Sequence, residues 1–242
     1  SSLRLAARRD LLQQFDLASQ RRNLTGNPQH DRQNEEAFGV LLSGATHSAF
    51  SLDQESAKTR DRYGRGKWGQ SVLLARRLIE AGVRMAFVNW PRESGDLSAD
   101  NPMWDTHSKN DSRMKDVLCP QFDLGFTALI EDLDERGLLD ETLVVAIGEM
   151  GRTARFNAAG GRDHWGNVFS FVMAGAGLRG GQVYGESDRT GAYPVSGRVQ
   201  PQDLTATILH LLGIGHEAFF PDRFGRPNRA TDGEPIYPLL HS

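Results

Sequence analysis

Two apolar runs, Thr142–Ile147 and Val168–Ala174, enclose a glycine-rich loop that carries most of the chain's unusual side chains. That arrangement constrains the fold more than any other feature. A continuous β-branched run such as Thr142–Ile147 suits a strand covered on both faces, the usual position in a parallel sheet. Loops leaving such strands are where α/β proteins place their chemistry. The loop contains Gly148-Glu149-Met150-Gly151-Arg152-Thr153 and Gly161-Arg162-Asp163-His164-Trp165. From Arg84 onward, strand and helix patterns alternate. Arg84–Val88 reads as a short strand, Phe122–Gly137 as a helix, and Pro201–Leu212 as a helix followed by Gly213. The expectation is an α/β fold with a mixed or parallel sheet flanked by helices. Pro91–Lys115 is too long and polar to be a mere connection.

The N-terminal third reads differently. Leu3, Ala7, Leu11, Leu12, Phe15 and Ala18 recur at helical spacing. Asn23–Asn34 reads as a loop, Glu35–Leu42 as a helix, and Asp61–Lys67 as a charged loop. Trp68–Glu80 reads as a helix with Gly82 at its C′ position. Residues 1–82 are therefore expected to be a mostly helical segment packing on the sheet. Residues 83–242 are expected to form the α/β portion, the two making one continuous domain.

Composition closes off several function classes. With 242 residues the chain can bury a real core, and a formal net charge of −3 argues against nucleic-acid or membrane binding by bulk electrostatics. A single cysteine, Cys119, excludes an intramolecular disulfide. No apolar run approaches the ~20 residues of a membrane span. No signal peptide is visible at Ser1, because Leu3, Leu5 and Ala6 are interleaved with arginines. A Gly-x-Ser-x-Gly elbow, a P-loop and a helix-opening Gly-x-Gly-x-x-Gly are all missing. Gly175-Ala176-Gly177 follows a strand, but Leu178–Gly181 is not a helix start, so a nucleotide site is a weak reading.

The candidate chemistry lies in three acid or acid–histidine segments. Asp105 and His107 are two residues apart, so in an extended segment both side chains point the same way. Glu149 follows its strand almost immediately, at the mouth of the usual α/β crevice. Asp163-His164 sits among glycines. Imidazole and carboxylate together suit a divalent metal. Each residue also has a plainer reading. His164 can be a loop histidine bonded to backbone, Glu149 can pair with Arg152, and Asp105 and His107 can lie in a solvated loop. Arg152 can clamp an anion bidentately, or simply close that local ion pair.

The combined pattern resembles a known family. The residues that carry the likeness are GEMGRT, GGRDHWGN and Ala-Gly-Ala-Gly-Leu-Arg-Gly-Gly within Thr142–Gly181. Asp61-Arg62-Tyr63-Gly64, Gly69–Leu78, Val88-Asn89-Trp90, Trp104–His107, Gly185–Asp188 and Asp203–Ile214 extend it along nearly the whole chain. The chain resembles DUF1501, a bacterial family of sulfatase-like proteins in the alkaline phosphatase superfamily.

The resemblance implies an alkaline-phosphatase-like sheet and a metal-dependent hydrolase of phosphate or sulfate esters, acting on an anionic ester substrate. It implies a divalent metal (zinc, calcium or manganese) held by Asp105, His107, Glu149, Asp163 and His164. Arg152 or Arg162 would hold the anion. It also implies a periplasmic or secreted location. Two departures stand out. Glu149 is followed by Met150 rather than histidine, which counts against a full two-metal site. No segment of Ser1–Gly82 looks like the superfamily's first strand with its nucleophile. The chain is therefore expected to be a C-terminal portion, N-terminally truncated, with its catalytic nucleophile unidentified. Self-association, or association with the N-terminal part, would cover the surface so exposed. A non-catalytic binding domain that retains the fold is the alternative.

Overall fold

The computed structural model describes residues 2–21, 32, 38–39, 48–91 and 104–240. It comprises two compact units, Ser1–Asn89 and Trp90–Ser242.

The first unit is helical. Helix α1 spans Ser2–Arg21, a stretch without Gly or Pro and rich in Ala, Leu, Arg and Gln, all good helix formers. The expected helix at Glu35–Leu42 lies outside the described residues, apart from positions 38–39, which are helical. Helix α2, Ala57–Arg62, occupies the start of what read as a charged loop. The side chain of Ser56 caps it by accepting from Thr59 N at 3.0 Å. Helix α3, Lys67–Glu80, buries Gly69, Val72, Leu73 and Arg76 along one face. It closes as expected at Gly82, whose φ of 89° is easy for glycine. Gly82 N and Val83 N bond back to Ile79 O and Leu78 O at 2.8 and 2.9 Å, a Schellman closure.

Arg76 is fully buried, and an ion pair balances it. Its Nη2 donates to Glu55 at 2.7 Å and its Nη1 to Glu80 at 2.6 Å, while Arg77 Nη1 also reaches Glu55 at 2.5 Å. Burial pushes the Glu55 carboxyl up, but the hydrogen bonds and charges of Arg77 and Arg76 outweigh that and hold it below the usual range.

The segment Arg84–Val88, expected as a strand, forms no ladder among the described residues. Met85 and Phe87 are 78% and 80% exposed. The alternating pattern is present, but no described strand pairs with it.

The second unit is mixed α/β. A short helix α4 (Asn110–Arg113) runs through a π-turn (Met114–Leu118) into helix α5 (Cys119–Glu135). Leu118, Ala128 and Leu133 are buried with Leu204, Ala206, Ile236 and Leu240, which supply the core of this unit. An aromatic row, Trp90–Trp104–Phe122–Phe126, follows with centroid spacings of 5.1, 6.2 and 5.1 Å. Helix α6, Pro201–Leu211, starts with Pro at its first position, and Asp203 Oδ2 accepts from Gln200 N at 2.8 Å to satisfy the backbone before it.

The strands are short. They are β1 (Val144–Ile147), β2 (Gly151–Arg152), β3 (His164–Trp165) and β4 (Phe171–Ala174), then β5 (Glu186–Ser187), β6 (Pro194–Ser196), β7 (Phe219–Pro221) and β8 (Pro227–Arg229). Among the described residues they form four two-stranded sheets, β1–β4, β2–β3, β5–β6 and β7–β8, and every pairing is antiparallel. This corrects the expectation of a parallel arrangement for Thr142–Ile147. A parallel pair needs a crossover, usually helical. Here the chain returns from β1 to β4 through the glycine-rich loop and its β2–β3 hairpin. β1 and β4 are also half-buried rather than covered on both faces, with Ile147 and Val172 exposed. Among the described residues, no helix is long and apolar enough to cross a membrane.

Candidate metal centre

Two loops build the site, and backbone contacts lock them together. The first is residues 104–109, ahead of α4. The second is residues 153–163, between β2 and β3. Arg162 N donates to Thr106 O at 3.0 Å, Lys109 N to Ala159 O at 3.3 Å, and Asn110 N to Gly160 O at 2.9 Å. Asn157 Nδ2 donates to His107 O at 3.0 Å. Glycine at 161 is required by this approach. A Cβ there would lie 1.9 Å from the carbonyl carbon of His107 and 2.3 Å from Ser108 N. Thr106 is 1% exposed; the backbone here is turned rather than extended, with His107 N donating to Asp105 O at 3.0 Å, and this turn brings Asp105 and His107 together.

The hairpin supplies the rest. The β2–β3 register sets Arg152 opposite His164, and directly opposed residues share one face of the pair. His164 Nε2 lies 2.8 Å from Asp105 Oδ1, and His107 Nε2 lies 3.0 Å from the same oxygen. The two Nε2 atoms are 3.2 Å apart. Asp105, His107 and His164 thus form one group whose ligand atoms all lie within 4.8 Å of one another.

The surrounding residues orient these three. Asp163 Oδ1 is 3.0 Å from His107 Nδ1 and accepts from Asn157 Nδ2 at 3.0 Å. A proton on Nδ1, shared with Asp163, leaves Nε2 as a lone pair aimed into the group. This is how carboxylates prepare histidine ligands. The hydrogen bonds from His107 and Asn157 hold the Asp163 carboxyl below its usual range. Burial pushes Asp105 up, but the hydrogen bond from His164 and the charge of Arg152 bring it below the ordinary value. Arg152 bridges two carboxylates: Nη1 donates to Asp105 Oδ1 and Nη2 to Glu149 Oε1, the latter at 3.0 Å.

The chemistry of this donor set fits a divalent ion. Ligands at ~2.0–2.2 Å from one metal stand about 3 Å from each other, and the three edges here are 2.8, 3.0 and 3.2 Å. Lone pairs so close repel unless a proton or a cation lies among them. Two imidazoles and a carboxylate suit zinc, manganese or iron better than calcium, which prefers all-oxygen shells.

Of the seven residues singled out in the sequence, Asp105, His107 and His164 supply the converging atoms. Asp163 stands behind His107. Glu149 is held by Arg152, its side chain 65% exposed. Arg162 gives its guanidinium to the loop itself: Nη1 donates to Thr153 O at 2.7 Å and Ala154 O at 2.9 Å, and the group stacks 4.4 Å over Phe156. Asn157 escaped the sequence reading. Its Oδ1 accepts from Ala159 N and Gly161 N, each at 2.9 Å, while its Nδ2 holds His107 O and Asp163. An Asn opening the Ala-Ala-Gly-Gly turn was the available signal.

The family described as "Protein of unknown function (DUF1501)" matches residues 1–240. Among curated proteins and among solved structures, nothing matches the chain.

Proposed function

The chain belongs to the DUF1501 family, and from that premise we propose that it carries the metal centre of a hydrolase acting on phosphate or sulfate esters. The observation that carries this reading is the solvent-facing cluster of Asp105, His107 and His164. Zinc and manganese are the ions this donor set favours. When bound, such an ion polarises an ester oxygen and offsets charge that develops on it. The protein's own part is positioning. Asp163 and Asn157 fix the tautomer and rotation of His107. Arg152, at the rim, presents a guanidinium whose planar fork matches phosphate and sulfate oxygens. An alkaline-phosphatase-like relationship, a place in the C-terminal portion of such an enzyme, and a periplasmic or secreted location belong to the same proposal. They rest on the likeness of the motifs.

A second reading is a metal-holding binding domain without turnover. It draws on Glu149, which sits where the superfamily pattern expects a ligand pair but gives its carboxylate to Arg152. The two separate in one experiment. Hydrolysis of aryl phosphates and aryl sulfates by the full-length protein is measured after metal stripping and after reloading with zinc or manganese. The hydrolase reading expects metal-dependent turnover that His164→Ala abolishes. Metal uptake without turnover supports the binding domain. Turnover indifferent to both metal and His164 overturns the site.

A further inference from the structure

The hairpin β7–β8 has a composition that its own fold does not use. All of its strand residues are exposed, and among the described residues no third strand joins the pair. Phe219, Phe220 and Phe224 are 59%, 51% and 68% exposed. Phe219 and Phe220 are consecutive strand residues, so their rings leave opposite faces of the hairpin. Phe224 lies in the connecting loop. Apolar side chains therefore surround the hairpin instead of forming one flat patch. Between Ala218 and Ala230 there are three arginines against one acid, Asp222, in a chain whose net charge is −3. The guanidinium carbons of Arg223 and Arg226 lie 4.6 and 5.4 Å from the centroid of the Phe224 ring, and Arg229 stands opposite Phe219. The loop is pre-set. Asp222 Oδ1 accepts from Phe224 N at 2.8 Å and from Arg226 N at 3.0 Å, and Asp222 N donates to Arg226 O at 2.8 Å.

We propose that this hairpin is an interfacial anchor that docks the chain on an anionic lipid surface. The rings enter the boundary between headgroups and acyl chains, and the arginines meet the lipid phosphates, which their planar forks match. Rings paired with guanidinium groups need an apolar medium and an anion together. A headgroup boundary offers both on every side of the hairpin, whereas a flat protein partner would cover one face and leave the other ring wet. Strand addition by a protein partner is opposed as well. Pro221 and Pro227 face each other at the loop end, and each removes a backbone donor from the strands. The open strand edges limit the depth, because only the hydrated interface can satisfy them. The overall charge of the chain is no obstacle. Attraction to a charged surface acts within a Debye length, so the local excess of arginine decides it. This inference is independent of the metal centre.

Co-sedimentation of the whole chain with phosphatidylcholine vesicles, and with an equimolar mixture of phosphatidylcholine and phosphatidylglycerol, tests it. Wild type is expected to bind the mixed vesicles and hardly the neutral ones. Arg223→Gln is expected to weaken that binding about fivefold, the usual weight of one basic side chain at an anionic surface. Phe224→Ser is expected to weaken it about tenfold or more, because it takes one ring out of apolar surroundings. Both substitutions fall on exposed residues. Phe224→Trp keeps a ring in place, and its added emission is expected to shift to the blue on the mixed vesicles alone. That measurement decides the matter if either weakened variant proves misfolded. Absence of binding to the mixed vesicles, equal binding to both kinds, binding unaltered by either substitution, or no blue shift overturns the proposal. So does self-association in solution that Phe224→Ser abolishes, because the hairpin then serves a second copy of the chain.

Discussion

Replacing Gly161 with alanine tests how the site is assembled. The new Cβ would lie 1.9 Å from the carbonyl carbon of His107 and 2.0 Å from its oxygen, both backbone atoms. Ordinary contact begins near 3.4 Å, so the two loops must separate by about 1.5 Å. Four hydrogen bonds cross that seam, at 2.9 to 3.3 Å: Arg162 N to Thr106 O, Lys109 N to Ala159 O, Asn110 N to Gly160 O, and Asn157 Nδ2 to His107 O. A retreat of that size breaks most of them. At about 1 kcal/mol each, the cost is about 2–4 kcal/mol. It also carries Asp105 and His107, which share one loop, away from His164 and dismantles the donor triangle. Gly160→Ala is the control. Its φ of +68° imposes backbone strain, but a Cβ there meets nothing within 4 Å, so about 1–2 kcal/mol is lost and the triangle survives. Thermal melts and metal titrations of both variants provide the comparison. Gly161→Ala is expected to lose metal affinity by at least an order of magnitude, the scale on which disturbed ligand support is felt. Gly160→Ala is expected to keep it. Equal metal affinity in the two variants would refute the close approach of the loops.

Three further expectations follow. Asp163→Ala should weaken metal binding 10–100-fold by removing the acceptor on His107 Nδ1, with little effect on melting temperature. Glu55→Gln should destabilise the helical unit by about 3 kcal/mol, since it strips Arg76, whose side chain is fully buried, of one of its two carboxylates; chemical denaturation measures it. The same residue sets a pH dependence. The folded-state pKa of Glu55 is lowered, so its contribution is present above the unfolded carboxylate value and disappears as pH falls through the lower folded value. Wild-type stability should therefore decline on acidification, and Glu55→Gln should show a shallower decline.

Much of the local structure was legible in the chain. Gly82 announced the end of α3 because only a residue at ease with positive φ closes a Schellman turn. The Asp105–His107 pair was legible as a candidate, but not the way it is brought together: a turn closed by His107 N to Asp105 O, rather than extended backbone, sets the two side by side. The sheet was less legible. An apolar β-branched run looks the same whether its neighbour runs parallel or antiparallel, and the return of β1 to β4 through the loop is a long-range fact. Arg84–Val88 had the composition of a strand, but strand identity depends on a partner. Within the site, side-chain type did not distinguish metal ligand from support. Asp163 and Asp105 are both acids beside histidines, and the loop contacts alone place one behind His107 and the other at the centre. Arg162 was misleading for a related reason: its partners, Thr153 O and Ala154 O, are backbone atoms that no motif reveals.

The most direct test of the account is X-ray absorption spectroscopy at the metal edge of the chain reloaded with one equivalent of zinc or manganese. The account predicts a first shell containing two imidazole nitrogens and a carboxylate oxygen at ~2.0–2.2 Å, with the imidazole signature halved in His107→Ala and in His164→Ala. A shell made of oxygen alone, or one unaltered by either substitution, would contradict it.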